Sequence, residues 1–87
     1  MEQVHATCIA IEGLGVLIRG SPGSGKSDLT LRLIDDGAGL VSDDRVNIKK
    51  RNAAIIASSP KATEGLLEVR GIGILELGGV GDVPLSL

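Results

Sequence analysis

Residues 20–27 constrain the fold of this chain more than any other part of its sequence. They read Gly20-Ser21-Pro22-Gly23-Ser24-Gly25-Lys26-Ser27 and match the pattern G-x-x-x-x-G-K-[ST] at every fixed position. Such a loop works between a strand and a helix, because its glycines let backbone N–H groups converge on an anion and the helix adds its positive dipole end. The apolar run 16–18 before the loop and the leucine-rich segment after it predict that strand and that helix.

The last two residues of the loop carry groups that suit a nucleoside triphosphate. Lys26 supplies a cation for the β- and γ-phosphates, and the hydroxyl of Ser27 is a ligand for Mg²⁺. We therefore predict that residues 20–27 bind the phosphates of a nucleoside triphosphate. The alternative is a glycine-rich turn without a ligand, which the strand–loop–helix context disfavours.

Hydrophobic periodicity predicts a single α/β unit around the loop. The helix is expected to begin at Lys26, and Gly37 is its expected C-terminal cap. Tight, hairpin and helical turns are expected at 13–15, 49–52 and 61–66, respectively. Strands or extended segments are expected over residues 4–11, 16–18, 40–41, 46–48, 53–57 and 67–77, with another starting at 83.

Composition restricts the class of protein. The 87 residues include no Phe, Tyr or Trp, so the core must be aliphatic. A net charge of −2 and a pI near 5.2 without a basic patch predict no nucleic-acid partner. The single cysteine, Cys8, cannot form an internal disulfide, which fits a reducing compartment. No apolar run approaches the ~20 residues that span a bilayer, so we expect no membrane association and a cytoplasmic location.

Two adjacent carboxylates, Asp43 and Asp44, follow the apolar strand after the helix. A strand beside the loop would carry them to the same edge of the sheet. There they could hold Mg²⁺, directly or through water, and one of them could accept a proton from an attacking hydroxyl. The alternative is a surface turn in which Arg45 is an ionic partner. Their position after a phosphate-binding loop favours the functional interpretation.

Three other residues have two interpretations each. His5 lies on a predicted strand, where a lone histidine is more often structural than catalytic. Glu68 and Arg70 are two positions apart, hence on one face of a strand. They form either an exposed ion pair of little energetic value or a metal-binding carboxylate with an anion-binding guanidinium. Spacing alone does not decide between these.

Four segments, in order, carry a resemblance to a known family. The chain resembles the catalytic domain of HPr kinase/phosphorylase, the bacterial enzyme that phosphorylates a serine of the phosphocarrier protein HPr. The last segment is the most specific, because ordinary enzymes with this loop lack it. The resemblance covers most of residues 5–77, and its segments are His5, Gly-Leu-Gly-Val-Leu-Ile-Arg-Gly at 13–20 with the loop that follows, Leu-Val-Ser-Asp-Asp-Arg-Val at 40–46, and Leu-Glu-Val-Arg-Gly-Ile-Gly-Ile at 67–74.

The resemblance implies a fold and a set of roles. The fold would be the P-loop-containing nucleotide-binding fold of the HPr kinase and phosphoenolpyruvate carboxykinase type, a mixed sheet with a helix after the loop. Residues 20–27 would bind ATP, and Lys26 would contact its phosphates. Asp44 would be the base that accepts the serine proton and the acid of the reverse phosphorolysis, and His5 would lie in the active site. The predicted Mg²⁺ ligands are Ser27, Asp43 and Glu68.

The resemblance also implies a partner and an assembly. HPr would be the protein substrate, and a homo-oligomer is expected because the family is typically hexameric. The family's domain continues past the position of Leu87, so we expect residues 1–87 to form a single, short version of it. Two other functions stay open: a non-catalytic ATP-binding regulatory module, and a small-molecule kinase or phosphoenolpyruvate carboxykinase-like enzyme.

Overall fold

Over the residues that the structure describes, the chain forms β-sheets with one helix packed on a face of the central sheet. A computed structural model describes residues 2–20, 25–60, 65–69, 73–76 and 81–85. The elements formed by these residues are β1 (Glu2–His5), β2 (Thr7–Ile11), β3 (Leu14–Ile18), α1 (Lys26–Asp35), β4 (Gly39–Ser42), β5 (Arg45–Arg51), β6 (Ala54–Ser58), β7 (Leu66–Val69), β8 (Gly73–Glu76) and β9 (Val83–Pro84).

The strands pair into three sheets. The central sheet has the order β3-β2-β4, and a second sheet has the order β1-β5-β6-β9. Strands β7 and β8 form a hairpin. Residues 7–10 of β2 are all buried, although alternate side chains of a strand point to opposite faces. The central strand is therefore covered on both faces, which explains its continuous apolar sequence.

Two aliphatic clusters cover the faces of the central sheet. On one face, side chains of β2 and β4 pack against the four-stranded sheet. On the other, Leu40 of β4 meets Leu67 of β7, with Leu31 and Ile34 of α1 packed around them. The first cluster consists of Ala6, Cys8, Ala10, Val41, Val46, Ala57 and Val83. The order of the layers places α1 and the β7–β8 hairpin on one side and the four-stranded sheet on the other.

The sheets meet closely at Gly15. A Cβ atom at this position would lie 2.9 Å from Val83 Cγ2 and 3.1 Å from Leu85 Cδ2, so a larger residue would displace them. Gly15 also forms an isolated parallel bridge with Leu85. Strand pairing within each of the three sheets is antiparallel over the described residues. Over those residues, the one parallel pairing is this isolated bridge, which lies outside the three sheets.

Helix α1 begins and ends where the sequence predicts. It starts at Lys26, and the chain leaves it through Gly37, whose φ is 109°. The N–H of Gly37 donates to the carbonyl of Ile34 and that of Ala38 to Leu33, both at 3.0 Å. These two bonds form a Schellman motif in which Asp36 is the C-cap residue, and they confirm that Gly37 closes the helix.

Three sequence predictions need correction. The predicted strand 4–11 is two strands in different sheets, because the chain bends at Ala6, whose N–H bonds to Asp44. Residues 49–51 belong to β5, and the hairpin turns at Asn52, whose φ is 54°. The turn predicted at 13–15 lies at 12–13 instead, since β3 already begins at Leu14.

Other predictions lie partly outside the described residues. This applies to the loop between β7 and β8 and to the helical turn at 61–66, of which only 65 and 66 are described. Leu66 already belongs to β7, so the predicted turn is wrong at that residue. Where the structure describes the chain, it contains no helix with the length and hydropathy needed to cross a bilayer.

Candidate active site

Strands β3 and β4, which precede two of the predicted site segments, end at the same edge of the central sheet. Strands β3 and β4 both end where β2 begins: Ile18 lies opposite Thr7, and Ser42 lies opposite Cys8. The glycine-rich loop follows β3, and the two adjacent aspartates follow β4. The prediction that a strand carries these carboxylates to the same edge of the sheet is confirmed. The strand is not the immediate neighbour of β3, however, because β2 runs between them.

The two ends of the glycine-rich loop are described. Gly20 is exposed just beyond β3, and Gly25 is the N-cap of α1. Gly25 has a φ of 88°, a conformation that costs an L-residue with a side chain roughly 1–2 kcal/mol. Residues 21–24 (Ser21, Pro22, Gly23 and Ser24) lie outside the described part of the chain, and for Lys26 and Ser27 only the backbone is described.

The first backbone N–H groups of α1 follow this loop directly in the chain. The first bond of the helix runs from the N–H of Leu29 to the carbonyl of Gly25 at 3.1 Å. The preceding N–H groups therefore have no partner inside the helix. No side chain of the N-cap residue caps this end, since Gly25 has none. N–H groups without a partner inside the helix, together with the positive end of the helix dipole, form a favourable environment for phosphate oxygens.

Hydrogen bonds from β2 and the β1–β2 junction hold the two-aspartate turn. The buried hydroxyl of Thr7 donates to Asp43 Oδ1 at 2.9 Å. The N–H of Ala6 donates to the carbonyl of Asp44 at 3.1 Å. Asp43 is half-buried, whereas Asp44 is exposed. The turn therefore presents one carboxylate anchored to the sheet and one that faces solvent.

The backbone of the turn is closed by its own residues. The N–H of Arg45 donates to the carbonyl of Asp43 at 2.8 Å, and Ser42 Oγ donates to the carbonyl of Arg45. Asp44 sits between them with a φ of 71°. Aspartate tolerates this left-handed conformation better than most residues, but it still carries strain that the surrounding bonds must offset.

His5 lies beside the two-aspartate turn. It is the exposed last residue of β1, and it pairs with Arg45 in the register of β1 and β5. The next residue, Ala6, binds the backbone of Asp44. The backbone thus brings His5 next to Asp44, as expected for a residue of the same site. Its catalytic role stays a prediction.

The structure gives the position of Glu68 only through its backbone and its neighbours. Its neighbour Leu67 is buried against Leu40 and the helix, which fixes β7 beside α1. Glu68 lies opposite Ile74 in the β7–β8 hairpin. Its side chain and the whole of Arg70 lie outside what the structure describes. Whether Glu68 is a metal ligand or an ion-pair partner therefore stays a prediction.

The carboxylate and hydroxyl groups predicted for this site are of the type that Mg²⁺ binds. The described residues contain no group of three or more His, Cys, Asp or Glu side chains able to hold a metal ion. Mg²⁺ does not require one, because it usually takes one or two carboxylates and completes its shell with water and substrate phosphates. Asp43 and the predicted ligand Ser27 have the hard oxygen donors that this ion prefers.

Cys8 lies one residue from Thr7 but does not join the site. It is fully buried, and this burial raises the pKa of its thiol to about 11, although a backbone hydrogen bond from Val16 opposes the shift. The thiol is consequently protonated at neutral pH and is no nucleophile. Its role is that of a small apolar core residue.

Sequence reasoning did not single out Thr7 or Ala6. Both lie in a run that reads as one apolar strand, and their partners are in a turn near residue 43. The available signal is the hydroxyl of Thr7 inside that run. A polar side chain in a buried strand needs a hydrogen-bond partner, but the sequence does not say which.

Comparisons with known proteins agree on one family. A family model described as the HPr serine kinase C-terminal domain matches residues 1–80. HPr kinase/phosphorylase from Clostridium botulinum (strain Eklund 17B) is 45% identical over 75 residues, which are 86% of this chain and 25% of that protein. The protein of the same name from Clostridium perfringens (strain 13) is 44% identical over 75 residues, or 86% of this chain and 24% of its own length.

A solved structure shares the fold. The Hpr(Ser) kinase/phosphatase from Coxiella burnetii superimposes with a TM-score of 0.92 and 34% sequence identity, covering 99% of this chain and 56% of that one. The chain thus spans about a quarter of the length of its Clostridium relatives and just over half of the Coxiella chain. Because the family model accounts for nearly the whole sequence, this chain belongs to the HPr serine kinase C-terminal domain family.

Proposed function

We propose that this chain is the ATP-binding, catalytic part of an HPr kinase/phosphorylase, which transfers the γ-phosphoryl group of ATP to a serine of HPr. The observation that carries the proposal is the shared edge of the central sheet. There β3 leads into the glycine-rich loop, and β4 leads into Asp43 and Asp44. Relatives that are named HPr kinase/phosphorylase support the choice of substrate.

Residues 20–27 would bind the phosphates of ATP, with Lys26 as the cation and the N-terminal N–H groups of α1 as donors. Ser27, Asp43 and Glu68 would hold Mg²⁺. When bound, ATP supplies the phosphoryl group and Mg²⁺ offsets its charge. The oxygen donors of this set and the left-handed Gly25 at the helix start support that assignment.

Asp44 would act as the base. Its carboxylate would accept the proton of the serine hydroxyl as that oxygen attacks the γ-phosphorus in line, and the protonated form would return the proton in phosphorolysis. The exposure of Asp44 supports this role, because the serine of a protein substrate must be able to reach it. His5, at the same edge, would contact the reacting groups.

Several further features follow from the family and belong to the same proposal. Residues 1–87 would form one domain of P-loop type, which acts in the cytoplasm and assembles into a homo-oligomer. HPr would be its protein partner, and neither nucleic acid nor membrane would be bound. The acidic pI near 5.2 supports the exclusion of nucleic acid.

Transfer of label is the direct test. The chain is incubated with γ-labelled ATP, Mg²⁺ and HPr, and HPr whose target serine is replaced by alanine is the control. We expect label on the serine of HPr and none on the control. If ATP binds but HPr stays unlabelled at every Mg²⁺ concentration, the chain is a non-catalytic nucleotide-binding module. Label on a metabolite panel instead of HPr would identify a small-molecule kinase.

A further inference from the structure

The bond between Thr7 and Asp43 links residues 36 positions apart in the sequence. Thr7 is 1% exposed, and its Oγ1 lies 2.9 Å from Asp43 Oδ1. A hydrogen bond to an ionised carboxylate is among the stronger ones in proteins. A buried threonine also has few accessible rotamers, because its Cβ is branched. The donor is therefore held rigidly by the central strand.

This bond acts on the side chain of Asp43 and not on the path of the backbone. The turn is already fixed by the N–H of Ala6 on Asp44 and by the bonds between Asp43, Arg45 and Ser42. Those bonds do not require a threonine at position 7. What Thr7 adds is a restraint on the rotation of the half-buried carboxylate.

We propose that Thr7 is a positioning residue, whose hydroxyl holds the Asp43 carboxylate in the orientation that binds Mg²⁺. The proposal rests on the proposed function, in which Asp43 is a ligand of that ion. Mg²⁺ demands near-ideal octahedral geometry, so a carboxylate that rotates freely is a poorer ligand than one that is held. Thr7 itself touches neither metal nor substrate in this role.

Two substitutions separate the hydroxyl from the shape of the side chain. Thr7→Val keeps the branched shape and removes the donor, whereas Thr7→Ser keeps the donor and removes a methyl group. If circular dichroism shows that the valine variant does not fold, Thr7→Ala takes its place in both measurements below, because it also removes the donor. A purely structural role would make serine and valine differ in stability, but it would leave the Mg²⁺ dependence of ATP binding unchanged.

The first measurement uses the metal-free protein. Three-bond NMR couplings from the backbone nitrogen and carbonyl carbon to Cγ of Asp43 report its χ1 angle. We expect the same couplings in the parent chain and in Thr7→Ser, and changed couplings in Thr7→Val. Parental couplings in the valine variant would overturn the proposal.

The second measurement is the Mg²⁺ concentration at half-maximal ATP binding, determined by calorimetry. We expect it to rise about tenfold in Thr7→Val, the size of a lost hydrogen bond to a charged group, and to stay within about twofold in Thr7→Ser. An unchanged midpoint in the valine variant, or equal shifts in both variants, would refute the role of Thr7 but not the proposed function. If the parent chain binds no ATP with Mg²⁺, the proposed function fails and the metal-orienting role fails with it.

Discussion

The two ends of helix α1 are built differently. At the C-terminal end, Gly37 closes the helix and two backbone hydrogen bonds satisfy its last carbonyls. At the N-terminal end, the cap residue is Gly25, which offers no side chain to the first N–H groups. Both glycines have a positive φ, which is 109° at Gly37 and 88° at Gly25. Glycine in a left-handed conformation therefore closes the helix at one end, and at the other end it leaves the first N–H groups without a side-chain cap.

The comparison separates residues that stabilise the fold from residues that we assign to the site. The closed end lies next to Gly37 and Ala38, where the chain returns into β4. The open end, which begins at Gly25, follows the glycine-rich loop. That loop leaves β3 at the edge of the sheet where Asp44 follows β4. Changes at the open end should affect binding or transfer, and changes at the closed end should affect only stability.

The largest effect is expected for Asp44→Asn. Asparagine tolerates the left-handed conformation of this position, so the fold should persist. Because the amide accepts no proton, we expect phosphoryl transfer to HPr to fall by roughly 10²–10⁴-fold, with ATP affinity little changed. Label transfer and calorimetry measure the two quantities. Asp82→Asn, at another exposed aspartate, is the matched control. Transfer at the parental rate in Asp44→Asn would remove Asp44 from the mechanism.

Lys26→Ala should have the next largest effect, and it acts on binding. Loss of the cation that contacts the phosphates should weaken ATP binding by roughly 10–100-fold, the range for a charged hydrogen bond. Lys50→Ala removes an exposed lysine from β5 and should leave the affinity unchanged. Equal affinities of the two variants would mean that the open end does not bind the triphosphate.

A pair of glycine substitutions tests the comparison itself. Gly25→Ala and Gly37→Ala should each cost about 1–2 kcal/mol in the free energy of unfolding, because alanine is strained at both φ angles while space is available for its Cβ. Only Gly25→Ala should also weaken ATP binding. Gly81→Ala is the control, since that position is open and its φ is not left-handed. Weaker ATP binding in Gly37→Ala would break the proposed division between the ends.

The smallest effect is expected at charges along the helix. Asp28 lies in the first turn and Arg32 in the last, and both are exposed. Asp28→Asn and Arg32→Gln should each lower stability by roughly 0.3–1 kcal/mol, because each charge complements the helix dipole. Asp28→Asn should in addition tighten ATP binding by up to about fivefold, since Asp28 repels the phosphates at the same end. A gain in affinity from Arg32→Gln would contradict this account.

Sequence patterns predicted the elements nearest the loop well. Leucine spacing and Gly37 gave both ends of α1, because helix periodicity and a C-terminal glycine are local signals. The strand that ends just before Asp43 and Asp44 is also predicted from its apolar run. The position of those aspartates at the edge of the sheet is predicted as well, because they directly follow this strand in the sequence.

Other features depend on contacts between distant residues and were not predictable. The break at Ala6 exists because its N–H binds Asp44, so the apolar run gives no sign of it. The charged residues 49–51 resemble a turn, but their backbone pairs with β6 and the turn is made by Asn52. The division of the strands into three sheets, and the bond from Thr7 to Asp43, likewise arise only on packing.

An amide NMR titration with ATP and Mg²⁺ tests the central claim most directly, because it reads both ends of α1 in one experiment. We expect saturable shifts of the N–H signals of Gly25, Lys26 and Ser27, and no comparable shifts at Gly37 and Ala38. Signals that stay unmoved at the helix start with Mg²⁺ in excess, or shifts confined to the Gly37 end, would contradict a phosphate-binding role for the open end.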